Sequence, residues 1–275
     1  MTFKHFEEQY IGALYEAFIA SFSSHQVSFK PSFQAFRIRV LHKLSIDPKL
    51  SVLAMDGDKC AGFVLQTINK YEGKVTAYNG GTGVVPEYRS NHLALKMLDF
   101  VIPELAKKNT ERVLLEVVSS NVPAIKTYEK IGFNYRKTYK CYKLVDSLAE
   151  LRQLDKGTQI RKIKSPDFSL YKTLADITPS FIDYDHQIAR NLENEIILEV
   201  TAERKTVAYC IFQPHLGRTS QMGVKSANRQ QGIGSALLKQ VQLLSERPEL
   251  TLINVPQDYQ PMQLFLEALG FQNQV

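Results

Sequence analysis

Two stretches decide how this chain is read: Gly83-Val84-Val85-Pro86-Glu87-Tyr88-Arg89-Ser90-Asn91-His92-Leu93-Ala94, and Gly223-Val224-Lys225-Ser226-Ala227-Asn228-Arg229-Gln230-Gln231-Gly232-Ile233-Gly234. Each is the end of an apolar strand, then a turn that opens onto an amphipathic helix. Such a junction aims unpaired backbone N–H groups and the positive end of the helix dipole at whatever anion sits above the turn. The chain encodes this anion cradle twice.

Around each cradle the same order of elements recurs, as in a tandem repeat. In the first copy, helical patterns span Glu8 to Phe22 and Pro31 to Leu44. Strands Ser51–Met55 and Cys60–Leu65 flank Asp56-Gly57, a tight-turn signal. A strand from Lys74 to Val85 leads into the first cradle, and the helix Asn91 to Lys107 carries its apolar residues mostly on one face. Val113–Val118 reads as a buried strand and Val122–Ile131 as a helix ending at Gly132; Phe133–Tyr135 and Tyr139–Leu144 complete the first sheet.

Asp146 to Gly157 reads as a partly helical linker, giving an N-terminal domain 1–145, a linker 146–158 and a C-terminal domain 159–275. The second copy repeats the plan: helices Asp167–Asp176 and Pro179–Asn191, strands Glu195–Val200 and Thr206–Phe212, then strand, cradle and helix from Gln221 to Leu244. Thr251–Val255 is its next strand and Pro261–Leu269 its last helix. The sequence ends soon after Gly270-Phe271, so this copy lacks the two final strands expected of the first.

With 275 residues and 44% hydrophobic content, the chain can build buried cores in one large or two ordinary domains. No run of about 18 apolar residues exists and the opening residues lack a signal peptide's apolar middle, so a cytoplasmic protein without a membrane partner is expected. Cys60, Cys141 and Cys210 sit singly in apolar runs, which suits small reduced core residues rather than a metal site. The net charge of +6 suits an anionic ligand. The basic run from Lys126 through Lys143 reads as a solvated face or as a phosphate or nucleic-acid patch, but it lacks the aromatic interleaving of a nucleic-acid binder, and none is expected.

An apolar strand, then Arg-x-x-Gly-x-Gly or Ala, then a later Asn-x-x-Ala-x-x-x-Tyr-x-x-x-Gly-Phe resembles the GNAT superfamily of acyl-CoA-dependent N-acetyltransferases. Here the later motif is Asn121, Ala124, Tyr128, Gly132 and Phe133. Arg89 and Arg229 lie 140 residues apart, and Phe133 and Phe271 lie 138 apart, so the halves align almost without gaps. The resemblance implies an α/β fold of two tandem GNAT-like domains. Each would be a mixed, mostly antiparallel sheet flanked by helices, the second truncated after its last helix.

It also implies acetyl-CoA as cofactor. The cofactor would be bound by Val84, Val85, Arg89, Ser90, Asn91, His92, Leu93 and Ala94 in the first cradle. In the second it would be bound by Val224, Arg229, Gln230, Gln231, Gly232, Ile233, Gly234 and Ser235. His92 stands where the family has glycine, either facing solvent in the first helical turn or touching the phosphate. Asn121 suits both a helix cap and a contact to the pantetheine arm.

Leu115 through Phe133 also resembles, including its strand glutamate, the ribosomal-protein N-terminal alanine acetyltransferases. Glu116, on a strand beside the cleft and partly buried, is the candidate base for the amine proton, and Tyr128 the candidate acid for the departing thiolate. Backbone N–H groups around Val84 and Val85 would polarise the carbonyl. Glu116 reads also as a strand-edge carboxylate paired with lysine, and Tyr128 as a core aromatic. Tyr78, Asn79, Tyr139 and Tyr142 are candidates for the acceptor side.

In the second half Tyr259, Met262 and Leu266 replace Asn121, Ala124 and Tyr128, so no acid is present there. The leading expectation is an acetyl-CoA-dependent N-acetyltransferase. Chemistry would lie in the first half, and the acetyl group would pass directly to the amine of a small molecule or a peptide N-terminus in a ternary complex. The alternative is a non-catalytic acyl-CoA sensor built on the second cradle. Whether two chains pair as a homodimer is open.

Overall fold

The computed structural model describes residues 1–23, 30–148 and 154–274. The chain forms two compact units, Met1–Asn134 and Tyr135–Val275.

The first unit opens with β1 (Thr2–His5), a short strand with no sequence pattern to announce it, then α1 (Ile11–Phe22) and α2 (Phe33–Arg37). Helix α2 starts at Phe33, because the Ser32 side chain accepts the Ala35 N–H at 3.2 Å as an N-cap. Strands β2 (Val52–Asp56) and β3 (Lys59–Tyr71) meet at a turn with left-handed Gly57, and β4 (Lys74–Val84) follows. After the turn come α3 (Leu93–Lys107), β5 (Arg112–Leu115) and α4 (Val122–Lys130). The sheet order is β1-β2-β3-β4-β5, antiparallel except for the parallel pair β4–β5.

Leu93, Met97, Leu98 and Val101 recur at helical spacing on α3 and pack on Val52, Ala54, Ala61 and Val64 of the sheet. Each such buried side chain contributes about 1.5–3 kcal/mol. On α1, Phe18 meets Phe36 and Phe63 at ring separations of 5.0 and 6.0 Å.

The second unit begins with β6 (Tyr139–Leu144), β7 (Gln159–Ile163), α5 (Phe168–Leu174) and α6 (Asp185–Arg190). It continues with β8 (Ile196–Ala202), β9 (Lys205–Gln213), β10 (Arg218–Val224), α7 (Ile233–Leu244), β11 (Leu250–Pro256), α8 (Gln260–Ala268) and the two-residue β12 (Gln272–Asn273). The order β12-β6-β11-β10-β9-β8-β7 repeats that of the first sheet and adds β6 and β12.

One strand departs from the sequence expectation. Tyr139–Leu144 pairs antiparallel with β11, Leu250 opposite Leu144 and Pro256 opposite Tyr139, so it completes the second sheet rather than the first. The division between units accordingly falls after Asn134 rather than at residue 145. The alternation of β6 buries Tyr142 and Leu144 in the second core with Leu250, Leu252 and Leu266, and this apolar face fixes its partner. Tyr139 and Tyr142, read as acceptor-side candidates of the first unit, therefore belong to the second sheet, and Tyr142 to its core. Residues 149–153 of the expected linker lie outside the described residues.

Cys60 and Cys210 are buried and their thiols are pushed up to about 12 by desolvation, which keeps them protonated and inert. Among the described residues no helix is long and apolar enough to cross a membrane.

Candidate active site

In both units the sheet splays open at its middle. In the first, β4 pairs with β5 only from Thr76 to Asn79, and then runs on to Val84 paired with β3 alone. In the second, only Arg218 and Thr219 of β10 pair with β11. The divergence starts at a bulge: Gly80 is the unpaired extra residue of β4 and Ser220 that of β10, at matching places in the two repeats.

The splay leaves backbone donors facing the gap. Val85 N–H donates to Ala61 O on β3 at 3.0 Å, so the alternation of an antiparallel ladder turns Val84 N–H the other way, toward the open side. Lys225 N–H to Val207 O, 2.8 Å, fixes Val224 in the same sense. Of the two expected carbonyl-polarising donors, Val84 N–H faces the open side and Val85 N–H is engaged by the sheet.

Beyond the strand, the turn is built on two left-handed residues in each repeat: Ser90 (φ 66°) and His92 (φ 54°), then Gln230 (φ 59°) and Gly232 (φ 81°). Histidine thus adopts the backbone that glycine adopts without cost, and its side chain is exposed at the cleft rim. The N–H groups of Leu93, Ala94 and Leu95 in the first turn of α3 have no intrahelical acceptor and point into the cradle.

The arginines brace the junction. Arg89 Nε donates to Val84 O (3.2 Å) and Nη2 to Ser21 O (3.0 Å), while Arg229 Nε donates to Val224 O (2.9 Å). Arg229 also makes a two-pronged pair with Asp176, at 2.8 Å on each prong, and the Tyr259 hydroxyl donates to the same carboxylate. Arg229 and Tyr259 hold the Asp176 carboxyl below its usual range.

The first cleft measures about 510 Å³ and is lined by Val84, Arg89, Ser90, His92, Leu93, Ala94, Asn121 and Tyr128 of the sequence candidates. It also takes in Thr82, Thr127 and Leu95, which sequence reasoning missed; Val85, Asn91 and Glu116 do not line it. Asn121 caps α4 by accepting the Ala124 N–H at 3.3 Å. Glu116 lies one residue past β5 and is exposed, not partly buried on the strand, because no strand covers this edge of β5 among the described residues.

Tyr128 packs against Phe133 at 5.6 Å and against the α3 core, with its ring half-buried at the cleft wall. Burial pushes its phenol above the usual value, and the Thr82 hydroxyl across the same cleft acts in the opposite direction. It remains protonated at neutral pH.

The second cleft, about 630 Å³, takes in Val224, Arg229, Gln230, Gly232, Ile233, Gly234 and Ser235, but not Gln231. Its side chains differ at the two matching positions. Leu266 stands at the place of Tyr128 and is fully buried in the core, and Asn254 stands at the place of Glu116, its amide donating to Ser180 Oγ at 2.9 Å. The 138-residue offset would have revealed that Asn254 replaces the carboxylate. A buried polar network around Arg218–Asp183 and Ser220–Glu195 occupies one face of this sheet.

A splayed sheet over a strand-turn-helix cradle, present twice, is the frame of the GNAT acetyltransferases. Residues 11–133 match the acetyltransferase (GNAT) family model and residues 193–273 a second GNAT domain model, so the chain belongs to the GNAT family, in tandem form. It is similar to N-alpha-acetyltransferase 30 of Schizosaccharomyces pombe, 27% identical over 97 residues, spanning 34% of this chain and 65% of that protein. It is also similar to the N-terminal acetyltransferase B complex catalytic subunit NAA20 of Arabidopsis thaliana, 29% identical over 138 residues, 47% of this chain and 72% of that one. The chain thus spans just under two thirds of the first relative's length. Among solved structures, a tandem GNAT protein from the clavulanic acid biosynthesis pathway shares the fold over 99% of this chain and 95% of that one, with a TM-score of 0.70 at 14% identity.

Proposed function

We propose that the first unit is an acetyl-CoA-dependent N-acetyltransferase acting on a primary amine, with a peptide N-terminus as the favoured acceptor class. The observation that carries this reading is Tyr128: a protonated phenol on the wall of the first cleft, at a position where the second unit has buried Leu266.

The cradle suits the cofactor. His92 keeps the left-handed backbone of Gly232, so the trace around the anion site is preserved and its bulk stays at the rim. Ser90, His92 and the N–H groups of Leu93 and Ala94 would hold the pyrophosphate, and Asn121 the arm. When bound, acetyl-CoA supplies an acyl group activated as a thioester. Val84 N–H faces the open gap, where a carbonyl oxygen gaining charge would be stabilised.

An amine attacks only when neutral, so its proton must leave first. Glu116, exposed at the end of β5, takes that proton directly or through water. Tyr128 returns one to the departing sulfur. The peptide preference rests on the likeness to the two N-terminal acetyltransferases and on the residues around Glu116.

The second unit is read as a supporting domain whose cleft binds without turnover, since both proton-transfer groups are replaced and Asp176 brings a carboxylate to the cradle. The test is to offer the full chain acetyl-CoA with a panel of small amines and short peptides, following free thiol and acetylated product together. Release of thiol matched by acetylated amine is expected. Saturable coenzyme A binding with no thiol release from any acceptor would replace this reading with that of a sensor.

A further inference from the structure

The two cradles differ at their mouths. In the second, Arg229 lies in the turn after β10 and Tyr259 is the N-cap residue of α8, after β11, so they stand on opposite sides of the splay that opens beyond Thr219. Asp176, from the segment after α5, joins them. Its carboxylate takes both prongs of Arg229 at 2.8 Å and accepts the Tyr259 hydroxyl. All three residues line the second cleft. The Asp176 side chain is 41% exposed and that of Arg229 36%, which sets the bridge at the entrance rather than in the core.

We propose that Asp176 staples the second cleft against coenzyme A, and so decides which of the two cradles takes the cofactor first. This deepens the reading of the cradles as coenzyme A sites and rests on it. A cofactor arm laid between β10 and β11 has to cross the line from Arg229 to Tyr259, so the bond between Asp176 and Tyr259 must break to admit it. The carboxylate also opposes the ligand by charge. It neutralises the Arg229 guanidinium and adds a negative charge to the cleft whose helix N-terminus would receive a pyrophosphate.

The first unit supplies a comparison within the same chain. Gly83 and Gly223 match, and a β-carbon on them would meet Ser21 and Leu174 respectively, so Ser23 stands at the place of Asp176. The Ser23 hydroxyl is uncharged and turns back to Ala20 O of its own helix at 3.0 Å. Arg89 is bonded to Val84 O and Ser21 O, and Asn121 to the Ala124 N–H of its own helix. None of these bonds reaches from the β4 turn to α4. The arginine that braces the strand end is thus kept in both repeats, while the carboxylate and phenol that tie it across the splay stand in the second.

The experiment titrates coenzyme A into the full chain carrying ring-labelled tyrosine. The ¹³C NMR signals followed are those of Tyr128, on the first cleft, and Tyr259, on the second, each assigned by its loss in the Tyr128→Phe or Tyr259→Phe protein. In the native chain Tyr128 should reach half-saturation at a concentration at least about tenfold below that of Tyr259. Asp176→Ser should lower the Tyr259 half-saturation about tenfold and leave that of Tyr128 unchanged, the latter serving as the check that the fold is intact. If Asp176→Ser leaves the Tyr259 half-saturation unchanged or higher, or if Tyr259 responds in neither protein, the staple is overturned. A native chain in which Tyr259 saturates together with Tyr128 or before it overturns the staple equally. Should Tyr128 respond to no coenzyme A at all, the cofactor reading of the first unit falls, while the Tyr259 titrations of the two proteins still decide the staple.

Discussion

Gly234 lies so close beneath Phe265 that a β-carbon on it would stand 3.0 Å from the ring's Cζ. The matching residues of the first unit are Ala94 and Thr127, so a small partner accompanies the larger residue in each repeat. The glycine of the second cradle is thus set by packing as well as by access for an anion. Gly234→Ala should be destabilising or neutral in the native background but stabilising by about 0.5–1 kcal/mol with Phe265→Thr, through helix propensity. A double-mutant cycle by urea unfolding measures the coupling, and two effects that simply add would refute it.

His92 holds a left-handed backbone at the start of α3, where a side chain costs about 1–2 kcal/mol relative to glycine in the same conformation. Part of that gain is offset by the greater freedom of glycine in the unfolded chain. His92→Gly should therefore raise stability by about 0.5–1 kcal/mol, read from the urea midpoint followed by circular dichroism. An unchanged or lowered midpoint would show that the histidine side chain contributes a contact of its own.

Stability should fall with acid in two separable steps. His186 is desolvated and lies near Arg190, which lowers its pKa to about 4, and its Nε2 is buried without a partner among the described residues. The unfolded chain takes up that proton near pH 6.5 and the folded one refuses it until about 4, so this contribution is complete above 6.5 and declines steadily toward 4. The Asp176 carboxyl, lowered by Arg229 and Tyr259, contributes above its unfolded value of about 3.9 and is lost only below that. His186→Phe should flatten the unfolding midpoint between pH 6.5 and 4 and leave the lower step. Unaltered pH dependence across that window would show that other groups govern it.

The tandem plan was legible because its signals are local: a strand, a turn and an amphipathic helix announce themselves within a dozen residues, twice. The partner of a strand is not local. Tyr139–Leu144 reads as a strand, but nothing in its own residues says that β11 rather than β5 receives it; that follows from which core Tyr142 and Leu144 fill. Strand β1 is not legible in the sequence, because four residues with alternating partial exposure carry too little pattern. At the first cleft, residue type singles out Tyr128 and Asn121, which line it, whereas the brace made by Arg89, the bond that engages Val85 and the Asn79–Thr82 bond depend on where backbone carbonyls and bulges fall in space. The apolar neighbours of Glu116 read as a strand through Val118, but β5 stops at Leu115 and no described strand pairs with its outer edge.

The account turns on the phenol of Tyr128, and its replacement by phenylalanine keeps the ring that packs on Phe133 while removing only the hydroxyl. Turnover of acetyl-CoA by Tyr128→Phe, measured beside its affinity for coenzyme A, is the most direct test. The prediction is a loss of about 10² to 10⁴ in kcat with affinity held within about twofold. A Tyr128→Phe protein that turns over at the wild-type rate would contradict the assignment of the chemistry to this residue and to the first unit.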